Sequence, residues 1–283
     1  MAMSTRDSFG TRSCAMDELT ITLTEEQVAF FHRTGYLALP AITTPEEVEQ
    51  LQGIYDQLFS SKAGRDQGDH LDLVTTDEDD QEPVLPNILN PTKYASELAN
   101  TRFRTNALAI AKQLLGPDAV LEGEHAILKP PRTAAATPWH QDEAYWDPAK
   151  TYNSLSVWIP LQEATPENGC MHFVPGTHQE VLPHHPIGND PRIIGLEVDD
   201  VETVTANAVA CPLPPGGATI HLSRTLHYTG PNQTDQPRRA YILIFGTPVK
   251  PRATSRDFYW QTMQKTQWQE RVEAAKSRQA TNA

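Results

Sequence analysis

The sequence predicts a mainly β protein of the sandwich or jelly-roll class, with α-helices packed around it. Three observations carry this reading. Between about Val120 and Val249, short runs rich in β-branched and aromatic residues alternate with Pro, Gly, Asn and Asp, a pattern of many short strands and turns and not of a parallel α/β sheet. Clear helix-start signals fall before residue 116. A chain of 283 residues, 39% hydrophobic and 21% charged, is long and apolar enough to bury a real core.

Taken in order, residues 1–19 are polar and lack an apolar run, so they read as a disordered N-terminal extension and as neither a signal peptide nor a membrane span. Thr24, with Gln27 three residues on, caps a short helix running to Gly35. Tyr36-Leu37-Ala38-Leu39 then makes a short strand. Thr44-Pro45-Glu46-Glu47 starts a second helix, with Pro45 at the first helical position and Val48, Leu51, Tyr55 and Leu58 as its apolar stripe. Residues 61–100 are polar and Pro-rich without periodicity; a loop of that length is either a lid over a site or a solvated excursion. A third helix from about Thr101 to Leu115 presents Phe103, Ala107, Ile110 and Leu114 and stops at Gly116-Pro117. Strands are expected at Leu155–Leu161, Cys170–Val174, Ala218–Leu222 and Ala240–Phe245, and a polar-faced helix in the C-terminal tail, from about Asp257 to Lys276. The domain plan is therefore an extension over 1–19, a β domain over 20–250 and a helical tail over 251–283.

The net charge of −13 repels phosphate backbones and argues against nucleic acid as a partner. No segment reads as a membrane span, and oligomeric state is left open. Cys14, Cys170 and Cys211 are widely spaced with no paired motif, so they read as free thiols and the protein as cytoplasmic.

The chemistry begins at Trp139-His140-Gln141-Asp142. An imidazole and a carboxylate two residues apart on an extended segment project to the same face, although such a triplet alone is weak evidence for a metal site. The second piece is the run from Thr219 to Asn232, followed by Pro237-Arg238-Arg239. Gly230 to Pro237 has turn composition, so the strand ending at Thr229 and the strand starting at Arg238 should be neighbours, bringing His227, Thr229 and Arg238 into one pocket. Two imidazoles and one carboxylate suit Fe(II), because they leave coordination positions free for a 2-oxo acid and dioxygen. The distal carboxylate of such a co-substrate needs a planar donor pair, which Arg238 supplies, with a hydroxyl from Thr229.

At this point the chain resembles the phytanoyl-CoA dioxygenase family of Fe(II)/2-oxoglutarate-dependent oxygenases over roughly residues 20–250. Leu23 to Tyr36 is similar to the family's first helix and strand, and His140-Gln141-Asp142 resembles its ligand pair. Val157 to His178 is similar to the segment ending in a Pro-Gly-Ser/Thr-His signature. His227 stands eleven positions before Arg238, as in the family pattern, which favours Arg238 over Arg239.

The resemblance implies a double-stranded β-helix (jelly roll) with flanking α-helices. It implies Fe(II) held by His140, Asp142 and His227, and 2-oxoglutarate held by Arg238 and Thr229. With O2 this co-substrate yields succinate and carbon dioxide and drives attack on an unactivated C–H bond of a small molecule. Halogenating relatives replace the carboxylate ligand with a small residue, so Asp142 points to hydroxylation.

Tyr145, Trp146, Trp158 and Arg224 are candidate substrate contacts. Trp158 also reads as a core residue, and Arg224 as the partner of a carboxylate. His221 competes with His227 but has the wrong offset to Arg238; Lys129 is a further candidate for assisting the co-substrate. His178 reads as a brace for the Pro175-Gly176 turn. The rival readings are a metal-dependent jelly-roll isomerase or hydrolase that uses no 2-oxo acid, for which Arg238 is dispensable, and a non-catalytic binding protein on the same fold.

Overall fold

Short side-chain caps set the helices. The computed structural model describes residues 21–76, 78, 82–265, 271 and 274, so the expected extension at 1–19 lies outside the described residues. Helix α1 (Glu25–Thr34) opens on a complete Thr24/Gln27 capping box and closes on Gly35 at φ 86°. Helix α2 (Pro45–Ser60) opens on the Thr44 hydroxyl, and α3 (Arg102–Leu115) on that of Thr101. The short α4 spans Val201–Val204.

The strands, in chain order, are β1 (Tyr36–Leu39), β2 (His70–Asp72), β3 (Pro86–Leu89), β4 (Val120–Lys129), β5 (Thr137–His140), β6 (Lys150–Thr151), β7 (Ser154–Pro160) and β8 (Met171–Phe173). They continue as β9 (His184–Pro186), β10 (Leu196–Val198), β11 (Val209–Cys211), β12 (Ala218–Leu222), β13 (His227–Thr229), β14 (Arg238–Gly246) and β15 (Lys250–Pro251). Among the described residues a seven-stranded antiparallel sheet runs β1-β12-β7-β14-β4-β3-β2, and a four-stranded sheet runs β11-β8-β13-β5. The two sheets face each other as a jelly roll.

Alternation along the central strands sorts side chains between two layers. Leu155, Val157, Ile159, Ile220, Tyr241, Leu243 and Phe245 join Leu51, Tyr55, Phe103 and Ile110 in the core under α2 and α3. Trp158, Ala240 and Ile242 join Met171 and Phe173 between the sheets, and Tyr36 stacks on Phe173 at 4.7 Å. These strands are buried on both faces, so they read as continuous apolar runs. Residues that alternate out of the helix-facing layer, among them Ser156, Trp158 and His221, are free to line a site.

Three expectations are corrected. Residues 61–100 are not one loop, because β2 and β3 extend the large sheet. The Asp72 carboxylate holds their connection by accepting from the amides of Val74, Thr75, Val84 and Leu85. Strands β13 and β14 are not paired neighbours. They belong to opposite sheets, because Asn232 folds the turn back onto β4 by donating to the carbonyls of Lys129 and Pro130. The tail does not start as a polar-faced helix at Asp257, although Arg271 and Ala274 further on are helical. Tyr259–Met263 is a 3-10 turn, with Phe258 and Trp260 buried against Ala144 and Leu196; most of the remaining tail lies outside the described residues.

Candidate active site

His140 ends β5 and His227 begins β13, and the two are directly opposite in the register of the small sheet. Gln141 keeps the chain extended for one more residue, and Asp142 begins a 3-10 turn to Tyr145. Ligand atoms of His140, Asp142 and His227 thus lie within 4.8 Å of one another. Asp142 Oδ1 is 3.8 Å from His140 Nε2 and 3.6 Å from His227 Nε2.

The surroundings fix which atoms face the centre. Nδ1 of His140 lies 2.8 Å from the Pro138 carbonyl, and Nδ1 of His227 lies 2.9 Å from that of Thr225. Each Nδ1 therefore carries the proton and each Nε2 keeps its lone pair, the tautomer a metal ligand requires. Burial holds both imidazoles below their usual pKa, in the neutral form. Ser156 donates to Asp142 Oδ2 at 2.8 Å, leaving Oδ1 to face the imidazoles. Two neutral nitrogens and one carboxylate oxygen converge, a donor set that fits Fe(II).

Gln141, between the two candidate ligands, is fully buried. Its amide group donates to the carbonyls of Glu180 and Arg224 and accepts from Leu182 N–H, while its backbone N–H donates to His184 Nε2. This lock on the ligand pair is invisible in sequence, where Gln141 is only the middle of the triplet.

Arg238, at the start of β14, is 1% exposed. One terminal nitrogen reaches Thr229 Oγ1 at 3.5 Å, and its carbon lies 5.6 Å from the centre of the Trp158 ring. Nε and the other terminal nitrogen have no hydrogen-bond partner among the described residues. Burial brings the guanidinium pKa down to about 9, so it remains a cation at neutral pH. A buried cation without a counter-charge is unfavourable by several kcal/mol (order of magnitude), a cost that an anionic group beside it would offset.

These residues open into a cavity of about 610 Å³, mid-range for a small-molecule cleft. Tyr145, Trp146 and Trp158 line it. Tyr145 packs edge-on to His140 at 5.9 Å and accepts from Leu196 N–H. Trp158 belongs to both readings, since it is 3% exposed in the inter-sheet core and forms cavity wall. Arg224 is not on the wall: its guanidinium donates to Glu143 Oε2 at 3.1 Å and to the His178 carbonyl, drawn away by that buried carboxylate. Lys129 is also turned away, donating to the carbonyls of Ala135, Thr229 and Gly230.

His221, set aside as a ligand in the sequence for its offset to Arg238, is on the wall, and further wall residues carried no usable sequence signal. His221 lies 3.5 Å from Asp142 Oδ2 and 4.3 Å from His227, ring to ring, a third imidazole behind the donor set. Asn87 and His125 face the cavity from β3 and β4, each with a buried polar atom that has no partner among the described residues. Gln261 and Gln264 close the wall from the C-terminal segment. No helix among the described residues is long and apolar enough to cross a membrane.

Comparison with known proteins agrees with this geometry. The family model described as phytanoyl-CoA dioxygenase (PhyH) matches residues 31–240. The chain is 28% identical to the methylphosphonate hydroxylase of Gimesia maris over 233 residues, covering 80% of this chain and 82% of that one. Among solved structures, EvdO2 from Micromonospora carbonacea var. aurantiaca superposes with a TM-score of 0.74 at 41% identity, covering 86% of this chain and 98% of the other. The same protein complexed with 2-oxoglutarate superposes with a TM-score of 0.72.

Proposed function

The chain belongs to the phytanoyl-CoA dioxygenase family, and from that premise we propose that it is an Fe(II)- and 2-oxoglutarate-dependent oxygenase that hydroxylates a C–H bond of a small organic molecule. The observation that carries the reading is the unpaired, buried Arg238 guanidinium in the same cavity as the His140, Asp142 and His227 donors. A metal centre alone has no use for that cation. A dicarboxylate that chelates the metal at one end needs it at the other.

His140, Asp142 and His227 would hold the metal, while Ser156 donates to Asp142 Oδ2. Arg238 and Thr229 hold the distal carboxylate of 2-oxoglutarate, and Trp158 shields that pair from water. When bound, iron with 2-oxoglutarate and O2 supplies the oxidant for the C–H bond and releases succinate and carbon dioxide. Tyr145 and Trp146 orient the substrate on the open side. Asp142 is a carboxylate where halogenating relatives carry a small residue, which supports hydroxylation as the outcome.

The test is product analysis by mass spectrometry under ¹⁸O2 with chloride present. A product carrying one new oxygen, labelled from O2, is expected. A chlorinated product, or turnover that consumes no 2-oxoglutarate, would sink the reading; the second result would favour an isomerase or hydrolase on the same fold.

A further inference from the structure

The C-terminal segment crosses the mouth of the cavity as a strap. Arg256 pairs with buried Glu143 at 2.6 Å, and Trp260 Nε1 donates to the Ala144 carbonyl. From this anchored backbone, Gln261 and Gln264 reach the cavity wall.

The hydrogen bonds of these two amides decide what they show to a ligand. Gln261 Nε2 donates to the carbonyls of Ala144 (2.9 Å) and Trp146 (2.8 Å). Gln264 Nε2 donates to those of Ile193 and Ile194, both at 2.9 Å. A side-chain amide has two N–H donors, so both glutamines have spent theirs. Turning either amide over would set its oxygen against carbonyl oxygens, so the assignment is forced by chemistry. What remains for a ligand is two carbonyl oxygens, which accept hydrogen bonds and donate none.

The charges on the wall point the same way. Arg238 is committed to the co-substrate and Asp142 to the metal, and Glu124 is taken by Arg104, Thr92 and Tyr241. The described wall contains no other Arg and no Lys, and the chain's charge of −13 repels anions. Apolar Leu73, Val74 and Ile194 and the Trp146 ring make up much of the remaining outer wall.

We propose that Gln261 and Gln264 determine specificity for a neutral, hydroxyl-bearing substrate with an apolar face, their Oε1 atoms accepting from its hydroxyls. This deepens the oxygenase reading of the same cavity and rests on it.

The test titrates tryptophan fluorescence of the full-length, metal-free protein, kept in excess 2-oxoglutarate so that Arg238 is occupied, with phenyl β-D-glucopyranoside and with phenyl β-D-glucuronide, which adds one carboxylate. The glucoside is expected to bind at least about tenfold more tightly, and Gln261→Leu or Gln264→Leu to weaken it by roughly three- to tenfold, the worth of one net hydrogen bond. Gln264→Lys keeps donors for the Ile193 and Ile194 carbonyls, removes the acceptor and adds a cation, so it should reverse the preference towards the glucuronide. Equal or tighter glucuronide binding by the wild type, no glucoside binding, or glutamine variants with unchanged affinity would overturn the inference. Because this titration needs no iron and no turnover, it separates the two readings. An iron–2-oxoglutarate charge-transfer band without glucoside binding overturns the specificity alone. Glucoside binding with the expected variant effects but no band supports the specificity and counts against the oxygenase.

Discussion

Lowering the pH from 7.5 to 5 should destabilise this protein, and the share carried by one buried ring, His184, can be isolated. The side chain is fully buried; its Nδ1 lies 2.7 Å from the Leu182 carbonyl, and its Nε2 accepts from Gln141 N–H at 3.2 Å. Both nitrogens are thus committed in the neutral tautomer, and a proton on Nε2 would face an N–H. Burial brings its pKa down from 6.5 to about 4. Below about 6.5 the unfolded chain takes up a proton that the folded chain refuses until about 4, so stability is full above that window and falls as pH drops through it. The loss is about 2 kcal/mol at pH 5 and about 3 kcal/mol once both states are protonated.

The assay is urea unfolding of wild type and His184→Gln at pH 7.5 and pH 5. The glutamine cannot titrate, while the other buried histidines, whose pKa values are also lowered, respond alike in both proteins and cancel. The wild type should lose about 2 kcal/mol more than the variant between the two pH values. Equal losses, within roughly 0.5 kcal/mol, would refute the claim that this ring is held neutral against Gln141.

Three further predictions follow from the packing. Ser156→Ala frees Asp142 Oδ2 and should weaken Fe(II) binding by about 10- to 100-fold, read by metal titration; unchanged affinity would show that the serine does not hold the carboxylate. Glu143→Ala strands the guanidinium groups of Arg224 and Arg256 behind the ligand turn and should cost about 3 kcal/mol in urea unfolding, a loss below about 1 kcal/mol marking these pairs as no better than surface ones. Gly35→Ala would place a Cβ 2.5 Å from His178 Nδ1 and 2.6 Å from Thr225 Oγ1 at a φ of +86°. Because Thr225 and Leu222 both donate to the Gly35 carbonyl, that variant should lower both the thermal midpoint and Fe(II) affinity, and an unchanged midpoint would contradict it.

The sequence is legible where the determinant is local. Thr24, Thr44 and Thr101 mark helix starts because a cap is a contact between residues three apart. Strands such as β7 and β14 stand out because both of their faces are buried. Strands β2 and β3 do not, since Asp72, Pro86 and Asn87 argue against strand and the pairing depends on one carboxylate gathering four amides across the turn. The tail misleads for a related reason: its glutamines look like a solvated face, whereas they bind backbone carbonyls more than sixty residues away in sequence. For the site, His140, Asp142, His227 and Arg238 share one cavity although the strand pairing expected to unite the last two does not form. The turn crosses between sheets, and both of its ends still face the inside of the roll. The roles of Gln141 and Ser156 exist only in three dimensions.

The most direct test of the central claim is anaerobic addition of Fe(II) and then 2-oxoglutarate to the metal-free protein, following the visible metal-to-ligand charge-transfer band in wild type, Asp142→Ala and Arg238→Ala. The account predicts a band in wild type, its loss or strong weakening in Asp142→Ala, and in Arg238→Ala a band that forms only at much higher 2-oxoglutarate. Iron that binds the wild type without producing a band, or an Arg238→Ala protein with unaltered affinity for 2-oxoglutarate, would contradict it.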